Sequence, residues 1–206
     1  MNAAAPPPFR DLAGTAGWAR GWLFAQAALA VLLAAIAIGH GAGYDDEGGS
    51  GAWQATSAIS FLVFCGGAIT VLRWIYLANA NAHALDAQGM RMSPGLAVGC
   101  YFIPIANLGM PFASMREMWK ASSAPRDWEI VRAPAIIGWW WLFWLLDNFA
   151  SAISFRLDLI EGEPGAQRAA EALDIASAVL TVPASLLLAL IIGRITAIQR
   201  EARVFA

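Results

Sequence analysis

"SPGLAVGCYFIPIANLGMPFASMREMW", residues 93–119, is the stretch whose reading decides the fold. It is apolar enough to enter a membrane, yet Pro104 and Pro111 interrupt it, with Asn107 between them. Either residues 94–115 cross the bilayer, or the segment dips in and returns to the side it came from.

The sequence around it is that of a membrane protein. Apolar residues make up 59% of the 206 and charged residues 14%, against roughly a quarter charged in ordinary globular domains. Four other stretches are nearly free of charge: about 22–38, 53–72, 134–155 and 175–192. Each approaches the ~20 residues that a helix needs to cross ~30 Å of hydrocarbon. The first is longer than a secretory signal core and lacks a clear small-residue cleavage site, so it reads as a retained helix.

Charge then separates four spans from five, because Lys and Arg collect in short cytoplasmic loops. With four spans, eleven of the thirteen basic residues fall on one side and only Arg156 and Arg168 on the other. The opposite loops carry Asp45, Asp46, Glu47, Asp158, Glu161, Glu163, Glu171 and Asp174. With five spans the division becomes six against seven, which is no bias. The chemistry within residues 93–119 agrees. Ser93 can cap a helix that Pro94 and Gly95 open, Pro104 removes a backbone donor, and Pro111 can start a second short helix.

The expected fold is therefore an all-α integral membrane protein: four transmembrane helices with a cytoplasm-facing re-entrant helical hairpin at 94–119. The alternative is five spans, with 94–115 crossing. Residues 1–17 read as a disordered Ala/Pro-rich tail and 18–206 as a single polytopic domain, with a cytoplasmic amphipathic helix at about 73–87. The hairpin tip is expected to be enclosed by the spans, since non-helical backbone at membrane depth needs protein or water around it.

The runs "RWIYLANANAHAL" (73–85) and "RMSPGLAVGCYFIPIANLGMPFASMREMWKASS" (91–123) resemble the bacterial membrane proteins grouped as domain-of-unknown-function family 4328. Arg73, Asn81-Ala82, Leu85, Ser93-Pro94-Gly95, Phe102-Ile103-Pro104, Asn107-Leu108, Pro111, Arg116-Glu117 and Trp119 carry the likeness. It implies a multispan bacterial membrane protein and no particular activity.

Several polar residues are candidates for a site. Asp147 lies mid-span, where an acid is costly and tends to face a cavity or a partner. The hairpin tip reaches a similar depth, so Asn107, Asp147 and Asn148 are expected to form one polar cluster. Asn81 interrupts the apolar stripe formed by Trp74, Leu77, Ala78 and Leu85, and should bond to a hairpin limb. Tyr76, Asn79, His83 and Asp86 fall on the opposite, wetter face. Ser93, Pro94, Gly95, Pro104 and Pro111 shape the hairpin and its packing. Arg73, Arg116, Glu117 and Lys120 sit at headgroup level, where the bases can meet anionic lipids and Glu117 can pair with Lys120. The tryptophans of "GWWWLFW" (138–144) read as an interfacial belt, and Cys65 and Cys100 as small buried hydrophobes.

The chain lacks the signatures of nucleotide, metal or nucleophile chemistry, so no cofactor or metal is expected. It lacks a basic patch with interleaved aromatics, so no nucleic acid is expected either. The leading expectation is a bacterial inner-membrane binding, transport or channel-like protein with both termini cytoplasmic. The expected partners are the lipid bilayer and, beyond it, a second copy or a membrane partner protein. The alternatives are a structural or accessory subunit and an intramembrane or lipid-modifying enzyme, the enzyme being the least favoured.

Overall fold

In a computed structural model, residues 9–40, 49–160 and 162–204 are described, the side chains of 38–57 and 204 excepted. Residues 1–8, Asp45, Asp46, Glu47, Glu161 and the His40 side chain therefore lie outside the described part. All regular structure among the described residues is helical: α1 (Ala13–His40), α2 (Gly49–Ala84), α3 (Pro94–Gly99), α4 (Met110–Ser123), α5 (Ala135–Asp158) and α6 (Pro164–Val204). Four of these, α1, α2, α5 and α6, are long and apolar enough to cross a membrane. The chain is a multispan membrane protein, all-helical across its described residues.

Residues 94–115 do not form one crossing helix. Ser93 caps α3 by accepting the Leu96 N–H at 3.3 Å, and Pro94 occupies its first turn. After six residues α3 gives way to 3₁₀ turns at Cys100–Phe102 and Ala106–Leu108, with Pro104 between them, and Pro111 lies in the first turn of α4. α3 and α4 pack against each other. Buried positions 111, 114, 115, 118, 121 and 122 of α4 recur at helical spacing, so one face of this helix is core.

Two sequence expectations about this segment need correction. Among the described residues the tip is not enclosed: Ile105 is 87% exposed and Phe102 71%, with Ile103 and Leu108 also exposed. Enclosure is unnecessary because local turns satisfy the backbone, the N–H groups of Asn107, Leu108 and Gly109 bonding to the carbonyls of Ile103, Ile105 and Ala106. Gly95 is also not a packing contact, since a side chain there would meet nothing within 4 Å.

The expected tail is likewise helical in part. Ala13 begins α1, Asp11 accepting its N–H at 3.0 Å, and Leu12, Ala16 and Ala19 are buried. Asn79 is fully buried rather than wet, whereas Tyr76 is exposed. Of the tryptophans expected to form a belt, Trp140 and Trp141 are core and Trp139 is exposed. Trp141 stacks on Trp144 with ring centroids 4.6 Å apart.

The chain groups into two compact units. The first comprises Met1–Gly21, Ala68–Gly138 and Ala189–Ala206, the second Trp22–Gly67 and Trp139–Leu188. Their charges differ sharply. The ranges of the first unit carry eleven Lys/Arg and six acids; those of the second carry two Arg and nine acids.

Candidate functional site

The second unit contains a polar seam between α5 and α6. Asp147, Ser151 and Ser154 on α5 are spaced i, i+4, i+7 and so share a face. Ala170, Asp174, Ser177 and Thr181 on α6 are spaced the same way. Pairing runs in opposite directions along the two helices: Thr181 and Ser177 with Asp147, Ser177 with Ser151, Asp174 and Ala170 with Ser154.

Each oxygen of the Asp147 carboxylate accepts a hydroxyl from α6. Ser177 donates to Oδ1 at 2.5 Å and Thr181 to Oδ2 at 3.2 Å. The Ser151 and Ser177 hydroxyls are 2.8 Å apart, linking Asp147 towards the next rung. There the buried Ser154 hydroxyl faces Asp174 at 2.5 Å and the Ala170 carbonyl at 3.1 Å. The seam is thus a run of hard oxygen ligands and exchangeable protons carrying two acids. Oxygen-only sites suit protons and hard cations rather than soft transition metals. Among the described residues no group of three or more His, Cys, Asp or Glu is placed to hold a metal ion.

The other two residues of the expected polar cluster have their own surroundings. Asn148 is exposed and turns back on its own helix, donating to the Trp144 carbonyl at 2.7 Å. Asn107 belongs to the first unit, where its Oδ1 is buried without a hydrogen-bond partner. Ser151, Ser154, Asp174, Ser177 and Thr181 escaped the sequence reading. Their repeated three- and four-residue spacing on two successive apolar helices was the available signal.

The first unit holds a second polar assembly, built on amides. Asn81 accepts the Arg10 N–H at 2.9 Å and donates to the Arg10 carbonyl at 2.8 Å, clasping the backbone at both points. Its Nδ2 also lies 3.3 Å from Gln199 Oε1. Gln199 donates to the Ala78 carbonyl and to Ser122 Oγ, both at 2.8 Å. Beside them Trp74 Nε1 donates to Thr196 Oγ1 at 3.0 Å. Asn81 therefore finds its required partners in the segment before α1 and in α6, not in the α3 limb of the hairpin. Such long-range partners cannot be read from helical periodicity.

The remaining candidates have ordinary occupations. Arg73 is exposed; Arg116 lies over the Phe112 ring at 5.2 Å. Lys120 donates to the Glu129 carbonyl at 3.0 Å and sits over the Trp128 ring. Glu117, expected at headgroup level and paired with Lys120, is turned inward and accepts the Met92 N–H at 3.0 Å. His83 faces the Met92 carbonyl at 3.2 Å. Asp86 lies past the end of α2 at φ +66° and accepts from Gln88 Nε2, so it is not on the helical face expected for it. Glu117, His83 and Lys120 thus bond the backbone of the segments that flank α3 and α4. Cys100 is buried and Cys65 half-buried; both are free thiols.

The fold and its seam define a multispan membrane protein with ionisable groups between apolar helices. Residues 47–197 match the family described as "Domain of unknown function (DUF4328)", and the chain belongs to that family. No curated protein and no solved structure matches it.

Proposed function

We propose that this is a membrane-embedded binding or transport protein whose working centre is the α5–α6 seam, with a proton or a small hard cation as its cargo. The observation that carries this reading is Asp147, a mid-helix acid with both oxygens engaged by hydroxyls of the neighbouring span. An acid at a helix centre costs about 2.5–3.5 kcal/mol on insertion scales. Acids in such places usually mark proton relays or ion paths. Asp147 is the primary site, Ser177 and Thr181 are its ligands, and Ser151, Ser154 and Asp174 continue the path.

The same proposal sets the topology. The first unit, with its eleven basic residues, faces the cytoplasm of a bacterial inner membrane, and both ends of the chain lie on that side. The positive-inside rule supports this. The α3–α4 hairpin enters the lipid from there, tip first. Its exposed Phe102, Ile103, Ile105 and Leu108 support that reading, because such a patch is disfavoured in water. Asn107 then sits in the lipid-facing tip, contributing to the hairpin rather than to the seam.

A second reading, an accessory subunit acting through a membrane partner or a second copy, draws on the exposed Asn148 and Ser151 of α5. Polar side chains facing lipid commonly join helices.

Flux assays separate the two. Purified protein in liposomes with an internal pH dye, under proton and Na⁺ gradients, should dissipate at least one gradient. Asp147→Asn should abolish that flux and Ser177→Ala should slow it, with both variants still eluting as folded protein. Asn107→Ala should leave it intact. Absence of flux in the wild type, or full flux in Asp147→Asn, would overturn the proposal.

A further inference from the structure

The first unit contains a cleft of about 680 Å³ between the start of α1 and the last turns of α6. Arg10, Arg200 and Arg203 line it, with Thr196 and the buried Gln199 also in its wall. A fourth arginine is close by: a Cβ built on Gly193, another lining residue, would lie 3.5 Å from the Arg20 guanidinium carbon. Among the described residues two acids, Asp11 and Glu201, line the same cleft. One of them has a structural task, since Asp11 Oδ1 takes the Ala13 N–H.

The walls are held in place by contacts independent of any ligand. Asn81 fixes the Arg10 backbone at both its N–H and its carbonyl, leaving the Arg10 guanidinium outside that clasp. The Arg203 guanidinium rests 5.4 Å from the Phe9 ring centroid. Trp74 Nε1 donates to Thr196 Oγ1. Guanidinium groups present planar sets of donors that match phosphate oxygens, and clustering several on a fixed frame gives a preorganised anion site.

We infer that this cleft binds a phosphate-bearing anion, with Arg10, Arg200 and Arg203 as its donors. The inference does not depend on the seam: it concerns another unit and another ligand class. A phosphate reaches such a cleft from one of two sources, an anionic lipid headgroup at the membrane surface or a soluble phosphate compound. General attraction of a basic surface for anionic lipid is not the same claim, because that attraction is spread over every exposed base.

The experiment therefore compares bases inside and outside the cleft. The full chain is placed in phosphatidylcholine nanodiscs, and binding of pyrophosphate is measured by calorimetry. In parallel, native mass spectrometry counts the cardiolipin and phosphatidylglycerol molecules retained from mixed micelles. Arg10→Gln, Arg200→Gln and Arg203→Gln should each weaken binding by about tenfold or more, the loss expected for one charge-assisted contact. Arg126→Gln, an exposed base outside the cleft, should weaken it by less than about twofold, as a distant screened charge does. Retention of lipid without pyrophosphate binding assigns the headgroup source, and the reverse assigns a soluble ligand; either supports the site. Equal losses from Arg126→Gln and the cleft variants would overturn it, as would failure of both probes in protein shown to be folded by its elution profile.

Discussion

The two polar assemblies are built on opposite plans. In the first unit Asn81, Gln199 and Ser122 are all nearly inaccessible, neutral, and matched donor to acceptor. In the second, Asp147 is half-buried and ionisable, and Ser151 and Asp174 on the same seam are exposed. A closed amide network suits the locking of a structure, since any member removed strands its neighbours. An open acid seam suits exchange, because its members tolerate different occupants. Polar residues between apolar helices therefore do not share one meaning: accessibility and ionisability separate structural ones from working ones.

Substitutions can break or sharpen that contrast. The largest effect should come from Gln199→Leu, which removes three buried hydrogen bonds, to Ser122 Oγ, the Ala78 carbonyl and Asn81 Nδ2. A loss of about 3 kcal/mol is expected, from three buried hydrogen bonds at about 1 kcal/mol each, read as a large fall in thermal stability in detergent. Asp147→Asn should change the same stability by no more than about 1 kcal/mol. It gives up an acceptor but removes an acid from mid-helix, two effects of opposite sign. If it unfolds the protein as Gln199→Leu does, the seam is a lock and the contrast fails. The smallest effect should come from Asn79→Leu. Asn79 is fully buried and neither its oxygen nor its nitrogen has a partner, so an apolar replacement of similar size should be neutral or stabilise by up to about 1 kcal/mol. A clear destabilisation there would reveal a polar role that the contacts do not display.

Much of the architecture could be read in the residues themselves. Ser93, Pro94 and Pro111 mark helix starts because their chemistry is local, and they perform those tasks in the structure. The asymmetry of the arginines was legible for a similar reason: a charge cannot be hidden in lipid, so its position along the chain reports where the apolar segments stop. The need of Asn81 for a partner was legible, but its partners were not. Gln199 and the Arg10 backbone come to it through tertiary packing, which no helical period encodes. Asp147 announced itself by its cost, whereas Ser177 and Thr181 resemble the many hydroxyls that apolar helices tolerate. The exposure of the hairpin tip is not legible in its prolines, because the 3₁₀ turns that settle its backbone hydrogen bonds within a few residues arise only in the folded segment.

The clasp on Arg10 also bears on how the chain is made. Gln199 lies 118 residues beyond Asn81, so the amide network stays incomplete while the ribosome is still producing the fourth long helix. Until then the Asn81 side chain and the Ala78 carbonyl lack their Gln199 partner. Insertion of the early helices and completion of this core are thus separated in time. A chain halted before residue 199 would already hold Arg10 through Asn81, but the Ala78 carbonyl and the Ser122 hydroxyl would lack the one glutamine that joins them.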